Sequence, residues 1–167
     1  NDRYFSASKF QEAMLLVDID RKKDAIVALQ SIINPTAINL SKLSGRELAD
    51  MLDHANMALA RIYYEEREFS NSINHYRKVR RLGPQFYDSL YEQSWALFMS
   101  GYPTHALGML HTVRSPFFKE TFNPEATMLA SIIYYWMCRY DDSRYELARF
   151  MTDHQKGIDA LGQMLER

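Results

Sequence analysis

Three positions in the middle of the chain recur 34 residues further on, with no gap in their register. The recurring pairs are Tyr63 with Leu97, Ser72 with Ala106, and Tyr76 with Leu110. A fixed period of about 20–50 residues is the sequence signature of a repeat protein, in which each unit buries its apolar face against its neighbours. The chain is therefore predicted to fold as a row of similar units, each packed against the next.

The best-preserved unit runs from Asn56 to Pro84 and reads as two short amphipathic helices joined by a tight turn. Its residues follow the order W-x2-L-G-x2-Y, then A-x3-F, then P. The matched positions are Asn56, Leu59, Ala60, Tyr63, Ser72, Tyr76 and Pro84. The stretch resembles a tetratricopeptide repeat, although Asn56 stands in the place of the tryptophan. The resemblance implies a helical solenoid that presents a binding surface.

The same resemblance extends over nearly the whole chain. It implies a single all-α domain, an α-solenoid of about four tetratricopeptide-like hairpins plus a C-terminal helix. The four hairpins are expected at residues 4–35, 46–84, 87–116 and 123–153. The tail at 155–167 is predicted to be either a capping helix or the first helix of a further repeat.

The period lengthens at two places, and the extra residues have predicted positions. Leu16 precedes Tyr63 by 47 residues, which favours one long helix over about residues 46–66. Its first two turns are expected to project beyond the stack. The fourth unit begins three residues late, and those three residues fit into the loop at 117–122.

Glycine and proline mark the turns and the helix starts. Gly101 falls at a turn between two helices, where a positive φ is often needed, and Pro103 suits the first turn of the helix that follows. Asn123 and Pro124 have the types expected for a helix cap and its first residue. These signals place the hairpin turn of the third unit and the start of the fourth.

Composition agrees with a helical fold and excludes several classes of protein. Apolar residues make up 47% of the chain, and six Gly and five Pro leave little room for the many turns of an all-β fold. The net charge of −1 gives no overall field toward nucleic acid or an anionic membrane. The single cysteine excludes an intrachain disulfide, and no apolar run reaches the ~18 residues of a membrane span.

The resemblance also implies a location for ligand binding, because in this family the first helices of successive repeats line a concave groove. The implied groove positions are Phe10, Met14 and Val17 in the first unit, Met57, Arg61 and Tyr64 in the second, Tyr91, Trp95 and Phe98 in the third, and Met128, Ile132, Tyr135 and Trp136 in the fourth. A clamp for carboxylates needs several cationic or amide side chains, and only Arg61 qualifies. The expected function is therefore a noncatalytic protein interaction module, a scaffold or adaptor whose groove binds a partner segment with bulky apolar anchors.

Two other readings remain open at this point. The groove could be filled by the chain's own tail or a neighbouring repeat, which would make the chain a structural spacer in a longer solenoid. The basic run from His75 to Arg81 could contact phosphate or RNA. That run is predicted to lie on a second helix and to leave Arg77, Lys78, Arg80 and Arg81 in solvent, so a solvated convex face is the preferred interpretation.

Further apolar side chains define secondary candidate surfaces. Leu48, Met51 and Leu52 lie on the overhang of the long helix, and Phe117 and Phe118 lie in the insert SPFFKETF. The insert resembles a subgroup of bacterial repeat proteins, several of them associated with the cell envelope. A soluble chain in a bacterial periplasm or envelope is slightly favoured over a cytoplasmic one.

No constellation in the sequence predicts catalysis or metal binding. The five histidines do not form a spaced pair with a third ligand, and Cys138 is expected to be an inert thiol in a turn. No nucleophile elbow and no phosphate-binding glycine loop is present. We therefore expect no enzyme activity and no cofactor. Because the sequence starts at Asn1 rather than Met, we expect part of a larger chain or assembly.

Overall fold

The structure, a computed structural model, describes residues 5–34, 45–118, 121 and 123–165. The described residues form α-helices with one 3-10 turn at Pro116–Phe118, and they contain no strand. The helices are α1 (Phe5–Asp18), α2 (Lys22–Ile33), α3 (Gly45–Glu65), α4 (Phe69–Tyr76), α5 (Phe86–Met99), α6 (Pro103–Val113), α7 (Pro124–Trp136) and α8 (Tyr140–Leu165). The predicted all-α class is confirmed. The linker expected at 36–44 and Phe122 of the insert lie outside the described residues.

Consecutive helices pair as hairpins, and the hairpins stack. The pairs are α1 with α2, α3 with α4, α5 with α6, and α7 with α8. The second helix of each pair also contacts the first helix of the next pair. This order of contacts is that of an α-solenoid, in which each unit touches only its neighbours along the chain.

The four hairpin turns share one backbone conformation. Asp20, Arg67, Gly101 and Cys138 have φ angles of 60°, 60°, 85° and 59°. In each turn the amide of this residue donates to the carbonyl three positions earlier at 2.9–3.0 Å, and the next amide donates to the carbonyl five positions earlier at 2.8–2.9 Å. This pair of bonds is the Schellman motif that ends a helix with a left-handed residue. The turn predicted at Gly101 is confirmed, and three residues other than glycine adopt the same conformation.

Small buried residues flank every turn at fixed distances. Seven positions before the left-handed residue stand Ala13, Ala60, Ser94 and Ser131, which are at most 4% exposed. Five positions after it stand Ala25, Ser72, Ala106 and Ser143, at most 5% exposed. In the fourth hairpin the two small residues touch, because the hydroxyl oxygens of Ser131 and Ser143 lie 2.9 Å apart. Small side chains here let the two helices of a hairpin approach closely.

The fourth hairpin begins with the cap that the sequence predicts. The side-chain Oδ1 of Asn123 accepts a hydrogen bond from the amide of Ala126 at 2.9 Å, and Pro124 is the first residue of α7. Its far side is open, because no helix in the described part of the chain packs on the outside of α8. Leu147 is 46% exposed, whereas the equivalent Leu29 and Leu110 of earlier hairpins are 0% exposed.

Helix α3 links two hydrophobic clusters into one body. The N-terminal cluster joins α1, α2 and α3 around Leu29 and Leu59, and the central cluster joins α3 to α7 around Leu110 and Ile133. Adjacent residues of α3 pack in different clusters, since Leu59 belongs to the N-terminal cluster and Ala60 to the central cluster. The helix is therefore buried on two sides over its central turns.

The long α3 differs from expectation in its packing. Its length agrees with the helix predicted over about 46–66, but its first turns do not project freely from the stack. Met51 packs against the N-terminal cluster, and Leu48 and Leu52 are half-buried. Asp50 and Asp53 bind Arg80, which fixes these turns to the segment that follows α4.

The basic run after α4 is also placed differently from the prediction. Helix α4 ends at Tyr76, so the residues from Arg77 to Arg81 form a turn rather than a convex helix. The side chain of Arg80 is 40% exposed but is paired, because its Nε donates to Asp53 Oδ2 at 2.8 Å and its amide donates to Asp53 Oδ1 at 3.1 Å. The chain leaves the helix here because Val79 turns into the core, where it is 5% exposed, and the buried Asp53 carboxylate accepts the amide that follows.

The tail does not form a separate helix. Helix α8 continues without a break from Tyr140 to Leu165, through the boundary predicted near residue 154. The segment at 153–156 contains neither Gly nor Pro, and its residues can continue a helix. With 26 residues, α8 is twice as long as the 13-residue α7, so its C-terminal half extends beyond its partner.

Candidate functional site

The predicted groove residues of α5 and α7 form one continuous apolar surface, termed here the α5–α7 surface. It comprises Tyr91, Trp95 and Phe98 from α5 and Met128, Ile132, Tyr135 and Trp136 from α7. The α7 members stand at positions i, i+4, i+7 and i+8, which lie on one side of a helix. The rings of Phe98 and Trp136 meet edge to face with centroids 5.8 Å apart, and this contact joins the two helices.

The two halves of this surface differ in exposure. Tyr91, Trp95 and Phe98 are half-buried against the central cluster. Met128 and Ile132 are each 46% exposed, Tyr135 is 65% exposed and Trp136 is 61% exposed. The ring of Tyr135 also meets that of Tyr140 at 5.4 Å. Large apolar area on α7 is therefore left in water beside a partly buried aromatic wall on α5.

Met57 was predicted to face the groove, and this prediction is wrong. Its side chain is 2% exposed and belongs to the central cluster, together with Tyr76 of α4 and Leu90 of α5. The position lies on the side of α3 that these two helices cover. Arg61, one turn later, faces outward, so the helix presents Arg61 and Tyr64 rather than Met57.

A cleft of about 480 Å³ opens between α3 and α5 at the edge of this surface. Its lining combines rings with charged side chains, namely Arg61, Tyr64, Glu65, Tyr76, Glu92 and Trp95. Arg61 and Glu92 form a bidentate pair across the cleft, with Nε–Oε2 and Nη2–Oε1 distances of 2.7 and 2.6 Å. The hydroxyl of Tyr76 donates to the same Glu92 Oε2 at 3.0 Å. These bonds tie α3, α4 and α5 together at the base of the cleft.

Ionisation in the cleft follows from this network. Burial, and after it the charge of Glu92, raises the pKa of Tyr76 far above its ordinary value, so its hydroxyl remains a donor. The hydrogen bond to Glu92 raises the pKa of Arg61. Burial, and after it the charge of Glu92, raises the pKa of Asp88, which lies one turn before Glu92 on α5. Arg61 thus bonds to Glu92, while Asp88 influences Arg61 only through its charge.

A polar pair, the buried Asn56 and the half-buried His75, occupies the place of the missing tryptophan. The amide nitrogen of Asn56 donates to the carbonyl of Leu52 at 2.8 Å, so its Oδ1 accepts from His75 Nδ1 at 3.0 Å. The imidazole stacks on the ring of Tyr63, with centroids 5.5 Å apart. Burial lowers the pKa of His75 to about 4, which keeps the ring neutral at pH 7. This pair was not predicted from the sequence, because only Asn56 stands at a position of the repeat pattern, and His75 was counted with the basic run.

The structure leaves some residues of the secondary candidate surfaces exposed and packs others against the fold. Phe118 packs on Phe86 and Tyr87, with ring centroids 6.1 and 5.1 Å apart, so it folds over the stack. Its neighbour Phe117 is 73% exposed. Leu48, Met51 and Leu52 are half-buried, and this reduces the apolar area that the α3 overhang offers.

Potential metal ligands do not cluster in the described residues. These residues contain no group of three or more His, Cys, Asp or Glu side chains that could hold a metal ion. Cys138 is exposed at the last hairpin turn. None of the helices in the described ranges combines the length and apolar character needed to cross a membrane.

These observations decide the architecture. The described residues fold as four stacked helical hairpins, the arrangement of an α-solenoid. No protein-family model matches the sequence, and a search of curated proteins gives no match either. Among solved structures, the chain is similar to a mutant of the protein MamA, at 10% sequence identity and a TM-score of 0.49. The similarity covers 90% of this chain and 98% of that one, but at this level it adds nothing about function.

Proposed function

We propose that this chain is a noncatalytic protein interaction module that binds a partner segment bearing bulky apolar side chains on its α5–α7 surface. One observation carries the proposal. The four apolar side chains that α7 presents on one side are each at least 46% exposed, and they continue directly into the aromatic residues of α5. Side chains of this size gain free energy when a partner covers them.

The composition of the surface suits an anchor-based interface. Aromatic residues and Met are enriched in the buried centres of protein interfaces, and a few such residues commonly supply most of the binding free energy. Trp136 and Tyr135 are the strongest candidates for this role because they are the largest and most exposed. The flexible Met128 side chain adapts to partners of different shape.

An occupant from another chain is favoured over a self-filled surface. Tyr135 and Trp136 keep 65% and 61% of their area exposed, so no described segment of this chain covers them. The tail that was the candidate occupant continues along α8 instead. A spacer role in a longer solenoid would leave these residues without a function, whereas a binding role uses them.

Phosphate or RNA binding by the basic run is less favoured. Arg80 already pairs with Asp50 and Asp53, which leaves three cations in the turn rather than a helical stripe of four. Nucleic-acid affinity depends on the number of phosphates neutralised, and it falls steeply with salt. We therefore assign the run no ligand.

A random peptide library displayed on phage and selected against the purified chain tests the proposal. Selected peptides are expected to carry bulky apolar residues at helical or alternating spacing. Labelled peptides are then titrated by fluorescence polarisation against the Tyr135→Ser and Trp136→Ser variants. Each variant should weaken binding about tenfold or more, as expected for an interface anchor.

The matched control is Tyr145→Ser on α8, where the tyrosine is 67% exposed and lies outside the proposed surface. Circular dichroism confirms that all variants remain helical. Failure to select any peptide, or equal losses of affinity for Tyr135→Ser and Tyr145→Ser, would show that this surface is not the binding site.

A further inference from the structure

The ion-pair networks around the cleft contain more carboxylates than cations. Arg61 pairs with Glu92 and lies near Asp88. Lys22 reaches Glu65 at 3.2 Å, Glu66 at 3.0 Å and Asp20 at 4.0 Å. Together these two networks hold five carboxylates and two cations, and Glu65 and Glu92 both line the cleft. Among the charged residues that line the cleft itself, the carboxylates of Glu65 and Glu92 outnumber the single cation of Arg61.

Asp88 is the least compensated member of this group. Among the described residues no cation forms an ion pair with it, since Arg61 directs both of its hydrogen bonds to Glu92. Asp88 is exposed and lies one turn before the cleft residue Glu92 on α5, and burial, and after it the charge of Glu92, raises its pKa. A further positive charge beside Asp88 and Glu92 would give Asp88 the ion-pair partner that it lacks among the described residues.

Aromatic rings complete the cation-binding character of the cleft. Tyr64, Tyr76 and Trp95 line the same space as Glu65 and Glu92. The face of an aromatic ring attracts ammonium and guanidinium groups, most strongly for tryptophan. A basic side chain in the cleft would thus meet carboxylates and rings together, while its aliphatic stem lay along apolar surface.

We propose that the partner segment carries an Arg or Lys side chain that enters the cleft between α3 and α5 while its bulky apolar side chains lie on α7. Charge complementarity identifies this occupant, because the cleft has excess negative charge and the neighbouring α7 surface is uncharged. This inference rests on the proposed function and specifies the chemistry of the partner.

The test uses the peptides selected by phage display and measures their affinity by fluorescence polarisation. Selected peptides should contain Arg or Lys to one side of their apolar residues. Replacing that Arg by the neutral citrulline, or that Lys by norleucine, should weaken binding about three- to fivefold, the range for a partly exposed ion pair. Raising the salt concentration should weaken the charged peptide more than the neutral one.

Asp88→Asn locates the effect. It should weaken the charged peptide about three- to fivefold and leave the neutral peptide unchanged. Asp159→Asn removes the same charge from an exposed position of α8 and should change neither affinity. Peptides without a basic residue, or an equal effect of Asp88→Asn on both peptides, would overturn the inference. Binding that depends on Tyr135 and Trp136 but not on peptide charge would support the proposed function and contradict the inference of a basic side chain in the cleft.

Discussion

Gly83 lies against the carboxylate of Asp53, so closely that a Cβ at position 83 would come within 2.7 Å of Asp53 Oδ2. That carboxylate is only 1% exposed and is held by the amide and Nε of Arg80. The turn after α4 is therefore fixed to α3 by a buried acid that has no freedom to move aside.

The first prediction concerns this contact. Gly83→Ala should lower the free energy of unfolding by about 1–3 kcal/mol, because the new methyl group displaces a carboxylate held by hydrogen bonds. Urea denaturation measures the change. Gly108→Ala is the matched control, since nothing lies within 4 Å of its added Cβ and the position is helical. It should raise stability by about 0.5–1 kcal/mol.

A double variant separates the steric contact from a general effect of the substitution. In Asp53→Ser the shorter side chain leaves space for the alanine, so Gly83→Ala should cost less in that background than in the native chain. Equal costs in the two backgrounds would contradict the steric explanation.

The second prediction concerns three of the four left-handed turn residues. Arg67→Gly and Cys138→Gly should each stabilise the chain by up to about 1 kcal/mol, because their φ angles of 60° and 59° cost residues that have a Cβ. Gly101→Ala, with φ at 85°, should destabilise it by about 1 kcal/mol or more. Thermal and urea unfolding measure both effects, and a loss of stability in both glycine variants would refute the explanation.

The third prediction concerns pH. The folded pKa of His75 is about 4, below its ordinary value of 6.5, so the unfolded chain binds more protons between these values. The stability from this group is present above pH 6.5 and is lost as the pH falls toward 4. The full shift corresponds to roughly 3 kcal/mol, and because the ring is only half-buried we expect about 1–2 kcal/mol.

Denaturation curves collected from pH 4 to pH 7 measure this contribution. His75→Gln should reduce the slope of stability against pH, whereas His105→Gln, at an exposed histidine, should not. Parallel slopes for the native chain and His75→Gln would exclude His75 as the titrating group.

The fourth prediction separates two neighbouring rings. Phe118→Ala should destabilise the chain by about 1–2 kcal/mol, less than the ~3–5 kcal/mol for a fully buried ring, because Phe118 is half-buried on Phe86 and Tyr87. Phe117→Ala should change stability by less than about 0.5 kcal/mol, since this ring is 73% exposed. Similar urea midpoints for the two variants would contradict the packing described here.

The hairpins were predictable because their turns obey a local rule. Leu16, Tyr63, Leu97 and Tyr134 are spaced by 47, 34 and 37 residues, and the left-handed turn residues repeat the same intervals. Each Schellman turn depends only on residues within one turn of the chain. Their register is therefore visible in the sequence even where the consensus side chains are absent.

Features that depend on distant partners were not predictable in this way. Helix α4 ends at Tyr76 because Asp53, on a different helix, accepts the amide of Arg80. The repeat pattern gives no information about such a bond. The candidate site also contains both kinds of feature. The pattern correctly predicted that the α7 residues are exposed, but it wrongly placed Met57 in the groove. Burial of Met57 depends on how α4 and α5 cover α3.

The thirteen-residue segment from the first small residue to the second, centred near each left-handed turn, has the same length in all four hairpins. Every difference in period falls outside it, in the junctions between hairpins. The extra residues of this chain thus lie where they leave the close helix contacts in register. A residue added within this segment would move one of the two small residues away from the helix contact, whereas a residue added in a junction would leave both in place.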